Sequence, residues 1–452
     1  MSSARQSFAV YVCTFATFLV NVDNTAYQVA LPTIREDLPA SFVQGQWILN
    51  AYVLILAALE LVTGALGDRF DKRRFLIAGL TVYVFGTVAT VSAPNAVLLI
   101  GARVIAGAGA AVLVPMGLAM MRVLAQSPSQ LRRFTGTWGI VVGLGMATGP
   151  LAGGVIVGTF GWRALPMASA LAAAIFIGLA LWLLPPTRPT TTPHYDWNGI
   201  AVLACMALAL TAAVIGLGER RMGAFAAATG VTVLLGVVLV RRFTAHGRFP
   251  VPAIARHSRP FRIAMLVAAM NYFCLGGGIF LLSTAYFQGA LKLSPVEAGW
   301  ALVPLAIGYA VGARVAPRLM DRTTPFLAIA VAGGLSIFAT TLVLALVASM
   351  APGWAVMAAA AAFGAGSGMA NTPTNALAMS ELPPDQSGIA GAFASSTRQV
   401  GQALGIAVSG TTYTLLPAST VLSSMSWLPI LLAASVITGA GFRTRFPGNE
   451  EN

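Results

Sequence analysis

The 452-residue chain is 57% hydrophobic and only 9% charged, with a net charge of +13 and a mean hydropathy of +0.80. A soluble domain carries roughly 25% charged residues, so repeated apolar runs of about twenty residues describe a polytopic, all-α integral membrane protein with no room for a large soluble domain. Nor is the positive charge a nucleic-acid patch, because it falls in short clusters between apolar runs, where it orients helices in a bilayer.

In chain order, the first apolar run, 8–32, contains Asp23 and follows a short stretch with one arginine, Arg5. No small-residue cleavage site follows it, so it reads as a first transmembrane helix rather than a removed leader. Further runs bounded by Pro, Gly and charge lie at 45–67, 74–93, 97–121, 133–157, 163–185, 197–217 and 223–242. The second set is 261–288, 297–317, 325–348, 353–379, 387–414 and 425–442, which makes fourteen expected helices. With this count, twenty basic residues fall in connections on one face and five on the other, while Arg103 and Arg398 are embedded. The asymmetry places both termini in the cytoplasm. Arginine outnumbers lysine 25 to 2, a coding bias that suggests a high-GC bacterium and hence its cytoplasmic membrane.

The second span ends in Asp68-Arg69 and the tenth in Asp321-Arg322. This weak echo suggests two related six-helix halves, 1–187 and 261–452, separated by an inserted helix pair and linker at 188–260. Cys13, Cys205 and Cys274 lie in apolar stretches and the three histidines in polar connections, so no disulfide framework or metal site is expected. No phosphate-binding Gly-x-x-x-x-Gly-Lys-Ser/Thr loop occurs either.

Asp23 and Glu60 are the only two of fourteen acidic residues inside apolar stretches, and such groups are rarely kept in a bilayer without a function. At 1.5 Å per residue, Asp23 lies roughly 14 Å below the outer end of its span and Arg103 roughly 9 Å below the outer end of its own. The two can therefore share a wet cavity in the outer half, or form a static pair that fixes packing. Glu60 lies roughly 12 Å from Asp68. It is a candidate proton carrier or contact for a cationic substrate, or else a neutral acid hydrogen-bonded to another helix. Aromatic residues Tyr27, Tyr52, Trp138, Tyr272 and Phe273, with Arg398, are candidates for a substrate cavity. Core packing and bracing are the alternatives.

Gly145, Gly149 and Gly153 fall four apart and line one helix face, with Pro150 and Gly154 beside them; the spacing permits tight packing and Pro150 invites a bend. Gly401 and Gly405 offer a similar pair in the second half.

Gly64-Ala-Leu-Gly-Asp68-Arg69-Phe-Asp71-Lys72-Arg73-Arg74 closely resembles the hallmark loop of the major facilitator superfamily, with Asp71 in place of a glycine. Residues 23–32 resemble the first-helix signature of its fourteen-helix drug:proton antiporters, with Gln28 at the usual asparagine. Arg103 to Gly109 is similar to the fourth-helix pattern, with Ala106 for glutamine, and Gly145 to Gly154 to the fifth-helix antiporter signature. The resemblance implies the major facilitator fold, with two six-helix bundles plus two inserted helices. It also implies a proton-relay role for Asp23 and Arg103, a conformational gate at Gly64, Asp68, Arg69, Arg73 and Arg74, and a hinge helix at 145–154. The expected function is export of a hydrophobic, drug-like molecule, with cations permitted, driven by the proton gradient without a cofactor and by a monomer. A proton-coupled importer and a degenerate, non-transporting sensor are the alternatives. A membrane-embedded enzyme would need a nucleophile–base pair or metal cluster that no span contains.

Overall fold

Each apolar run becomes a helix because hydrocarbon offers no partner for backbone N–H and C=O groups, so they must pair within the segment. The computed structural model describes residues 3–67, 70–187, 197–218, 221–246, 259–281, 285–322, 325–380 and 387–415. The first eight helices are α1 (Ser3–Asp37), α2 (Phe42–Gly67), α3 (Lys72–Val91), α4 (Ala96–Leu124), α5 (Pro128–Phe160), α6 (Ala164–Leu183), α7 (Trp197–Gly218) and α8 (Met222–His246). Helix α9 (Arg259–Phe273) continues as a π-helical stretch, Cys274–Leu281, and a second one follows at Ala285–Ala290. The rest are α10 (Pro295–Arg322), α11 (Pro325–Ala348), α12 (Gly353–Ser380) and α13 (Ser387–Leu415). The expected helix at 425–442 lies outside the described residues.

Several helix starts carry local signals. Asp71 caps α3 by accepting from Arg74 N, Asn95 caps α4 by accepting from Leu98 N, and Ser127 precedes Pro128 at the start of α5. Among the described residues, eight helices have a stretch long and apolar enough to cross a membrane, and three shorter apolar stretches occur at Ala201–Leu217, Phe261–Gly277 and Val331–Val347. Neither α1 nor α13 reaches that threshold, because both carry polar side chains to the centre of the molecule.

Helices α1 to α6 pack on one another, chiefly α3 on α4 and α6, α2 on α4, and α1 on α5. Helices α9 to α13 form a second group, with α12 against α10 and α11 and α13 against α9. Two seams join the groups: α5 with α10, and α2 with α13. Helix α7 lies along α2 and α13, where Thr411 donates to Val214 O at 2.8 Å, and α8 packs on α7.

The glycines of α5 divide between two partners. Added Cβ atoms at Gly145, Gly149 and Gly153 would meet Asn21, Thr25 and Ala26 of α1 at 2.9, 1.8 and 3.0 Å. One at Gly154 would lie 2.4 Å from Pro295 O, and one at Gly299 of α10 would lie 2.5 Å from Pro150 O. The first set thus locks α5 to α1, while Gly154 brings α5 against α10 at the end of the molecule away from the basic loops. Helix α5 is continuous through Pro150. In the second half, Gly401 and Gly405 press on Ala269 and Phe273 of α9.

Candidate functional site

Asp23 on α1 and Arg103 on α4 form an ion pair, Oδ2 to Nη1 at 2.6 Å, with the two side chains 0% and 1% exposed. The guanidinium is also sandwiched between two rings, its Cζ 3.9 Å from the Tyr27 centroid and 4.2 Å from that of Tyr52. Arg103 Nε donates to Ile48 O at 3.4 Å, while Asp23 Oδ1 accepts no hydrogen bond from the protein. The two side chains meet, as the sequence allowed, but the setting is enclosed and not a wet cavity. The pair is enclosed between α1, α2 and α4. Gly107 lets α4 approach that closely, because a Cβ there would lie 2.7 Å from Tyr52 O.

A separate central hollow of about 30 Å³ lies between the two groups of helices. Its lining includes Thr17, Asn21 and Asn24 of α1, Trp138 of α5, Tyr272 of α9, and Ser395, Arg398, Gln399 and Gln402 of α13. Three of the expected cavity residues, Trp138, Tyr272 and Arg398, are there. The other three lie away from it in this conformation: Tyr27 and Tyr52 flank Arg103, and Phe273 joins the apolar core of the second group. Asn24 Nδ2 donates to Gln402 Oε1 at 3.1 Å across the two groups, and Trp138 Nε1 donates to Thr17 Oγ1 at 3.0 Å. Arg398 lies 5.8 Å from the Tyr272 ring centroid. Drug-sized ligands occupy roughly 300–1,000 Å³, so the molecule is contracted about its centre in this conformation. A larger hollow of about 810 Å³, between α1, α5 and α6, has an almost wholly apolar, aromatic-rich wall on the helices' outer side. It lacks the convergent polar groups that orient a ligand.

Glu60 of α2 is fully buried. The Ser395 hydroxyl and Arg398 guanidinium of α13 lie across from it, yet neither carboxylate oxygen accepts a hydrogen bond of good geometry. It is not part of the lining of the central hollow. Nearer the basic loops on this seam, an added Cβ at Gly64 would sit 3.1 Å from Ala392 Cβ, so Gly64 marks a close α2–α13 approach.

Asp68 and Arg69 lie outside the described residues. The rest of that loop is tied within the first group. Asp71 Oδ1 accepts from Arg74 N and Oδ2 from Thr187 N, each at 2.9 Å, and Lys72 N donates to Thr187 Oγ1 at 2.8 Å. Arg73 donates to Leu181 O at the end of α6. Asp71, which departs from the usual glycine, therefore both caps α3 and holds the chain leaving α6.

The residues that sequence reasoning passed over are the amides and hydroxyls of the centre. Ser395, Arg398, Gln399 and Gln402 recur at i, i+3, i+4 and i+7, which puts a polar stripe along one face of α13. That reversed amphipathicity was the available signal.

Residues 13–406 match the family model described as Major Facilitator Superfamily. The chain is 31% identical over 422 residues to the puromycin resistance protein pur8 of Streptomyces alboniger, covering 91% of this chain and 82% of that one. It is 28% identical to the multidrug efflux pump LfrA of Mycolicibacterium smegmatis, covering 91% of this chain and 81% of that one. Among solved structures, the human organic anion transporter MFSD10 superposes with a TM-score of 0.68 at 16% identity, over 96% of this chain and 99% of that one, which speaks to the fold. The chain is thus a multi-pass membrane transporter, not an enzyme, and it belongs to the major facilitator superfamily.

Proposed function

We propose that the protein exports a hydrophobic, drug-like molecule across the bacterial cytoplasmic membrane in exchange for protons, with the basic face and both termini in the cytoplasm. The reading is carried by the Asp23–Arg103 pair. An isolated charge is costly in hydrocarbon, so a proton arriving on Asp23 would ordinarily strand the arginine. Here the faces of Tyr27 and Tyr52 and the Ile48 carbonyl remain to stabilise the guanidinium. Asp23 can therefore be neutralised without leaving Arg103 unsupported, which is the property a reversible proton site needs. The relatives named for puromycin resistance and multidrug efflux support the direction of transport and a small-molecule cargo.

Protonation would shift the balance between conformations by favouring the one in which Asp23 is neutral. No cofactor enters this scheme, since the proton gradient supplies the driving force. The test uses everted vesicles energised to an acidic interior. Addition of a transported antibiotic from a susceptibility panel should release protons, and Asp23→Asn should abolish the release while leaving drug binding. If no compound releases protons and Asp23→Asn confers the same resistance as the parent, the exchange mechanism is wrong.

A further inference from the structure

We propose that the central cavity selects substrates bearing an anionic oxygen group, such as a carboxylate or phenolate, recognised by Arg398, and rejects organic cations. The inference rests on the export reading above and names the substrate class of the same cavity.

Among the described residues that line the hollow, Arg398 is the charged one and none is a carboxylate. Neither of the two embedded acids is among the lining residues. Asp23 pairs with Arg103 behind the rings of Tyr27 and Tyr52. Glu60 faces Arg398 from α2 but does not line the hollow. An aromatic face could also hold a cation, yet Arg398 already stands over the Tyr272 ring. Among the described lining residues, the charge a substrate would meet is thus a cation, with Glu60 outside the lining on the far side of Arg398.

The neighbours of Arg398 are suited to an acceptor. Ser395, Gln399 and Gln402 share its face of α13, and each can donate through a hydroxyl or amide N–H. A guanidinium presents its donors as a planar fork that a carboxylate matches with two parallel bonds. Arg398 is only 8% exposed, so such a contact would be formed out of water, where charge-assisted bonds are strongest. Trp138 and Leu275 supply the apolar wall for the rest of the molecule.

The experiment compares fluorescein, an anion, with rhodamine 123, a cation on the same xanthene skeleton. Equilibrium binding to the purified full-length protein is read by fluorescence anisotropy, and transport of each dye is followed in energised everted vesicles. Fluorescein should bind at least tenfold more tightly than rhodamine 123. Arg398→Gln should weaken fluorescein binding by about 10- to 100-fold, the range for a lost charge-assisted bond, and leave rhodamine 123 unchanged or improved. Arg398→Lys keeps the charge without the fork, and should lie between, so a poorly folding glutamine variant still leaves a reading. Equal or tighter binding of rhodamine 123, no measurable fluorescein binding, or an equal loss of both dyes in Arg398→Gln overturns the inference. Fluorescein binding with the expected Arg398 dependence, but no movement of either dye in vesicles, supports the inference and counts against the export reading instead.

Discussion

The seam between α5 and α10 yields the sharpest prediction, because backbone meets backbone there. A Cβ at Gly154 would lie 2.4 Å from Pro295 O, 3.2 Å from Pro295 C and 3.2 Å from Val296 Cα, whereas ordinary contact begins near 3.4 Å. None of these atoms belongs to a side chain that can rotate away. Gly154→Ala must therefore separate the helices by about 1 Å, the shortfall between 2.4 and 3.4 Å. Overpacking of this kind costs about 1–3 kcal/mol, and the cost falls only on the conformation in which the seam is closed. The equilibrium should move toward the seam-open state by about 5- to 150-fold. Spin labels at Ser41 and Ser349, both exposed at that end of the molecule, would report the change as a longer distance in pulsed dipolar spectroscopy, with the native cysteines replaced. Gly149→Ala is the control. Its Cβ would meet Thr25 Oγ1 at 1.8 Å and Val22 O at 2.9 Å, a clash between α1 and α5 inside the first group of helices and away from the seam. It should lower the melting temperature without lengthening the distance. The reasoning fails if Gly154→Ala leaves the distance distribution unchanged, or if Gly149→Ala shifts it equally.

Three further outcomes are expected. Arg103→Ala strands Asp23 as a buried, unpaired carboxylate and should cost about 3–5 kcal/mol; adding Asp23→Asn should recover part of that loss, and strictly additive melting data would argue against a coupled pair. Asp71→Ala removes the α3 cap and the hold on Thr187, so stability in detergent should fall by about 1 kcal/mol, while Asp71→Asn should keep most of it. At the opposite end, Asp37 accepts from Trp162 Nε1 at 2.9 Å and from Arg163, and those two contacts, the indole first, hold its carboxyl below the ordinary value. A depressed carboxyl stabilises the fold above its unfolded pKa of about 3.9 and loses that contribution as pH falls through the folded value. Asp37→Asn should consequently melt below the parent at pH 7 by an amount worth about 0.5 kcal/mol or less, given its exposure. The gap should close below about pH 4, which a melting series across pH 3–7 would reveal.

Depth in the membrane was legible in the sequence, and direction around each helix was not. Rise per residue is fixed at about 1.5 Å, so counting from the ends of the apolar runs put Asp23 and Arg103 within roughly 5 Å of a common level, close enough for long side chains to meet. Which way a tyrosine points depends on how neighbouring helices are rotated, and small residues on other helices set that. Tyr52 faces Arg103 because Gly107 lets α4 lie against the α2 backbone, a contact between residues with no pattern linking them in the chain. For the same reason Tyr27 and Tyr52 looked like cavity residues by type, yet serve the ion pair. Among the described residues, the helix-forming runs are recovered because they depend only on local composition. The two long helices without a spanning-length apolar stretch, α1 and α13, are also the two that carry Asn24, Gln402 and the stripe around Arg398, so the weakest membrane signals coincide with the centre of the molecule.

The one-residue step from Asp23 to Asn24 bears on how a proton site outside the cavity can influence it. Consecutive helical residues point about 100° apart, so α1 presents Asp23 to Arg103 within the first group and Asn24 to Gln402 of the second. The ion pair fixes the rotational setting of α1, and with it the position of the amide that bridges the groups. On the proposed exchange mechanism, neutralising Asp23 releases that setting, and Asn24 transmits the change to α13, the helix that also carries Arg398. Shortening the bridge with Asn24→Ala should then uncouple the two events: proton release would persist through Asp23, but its dependence on added substrate would weaken. If substrate-dependent release in everted vesicles is undiminished in Asn24→Ala, the connection does not run through this contact, and the α5–α10 seam becomes the alternative route between the groups.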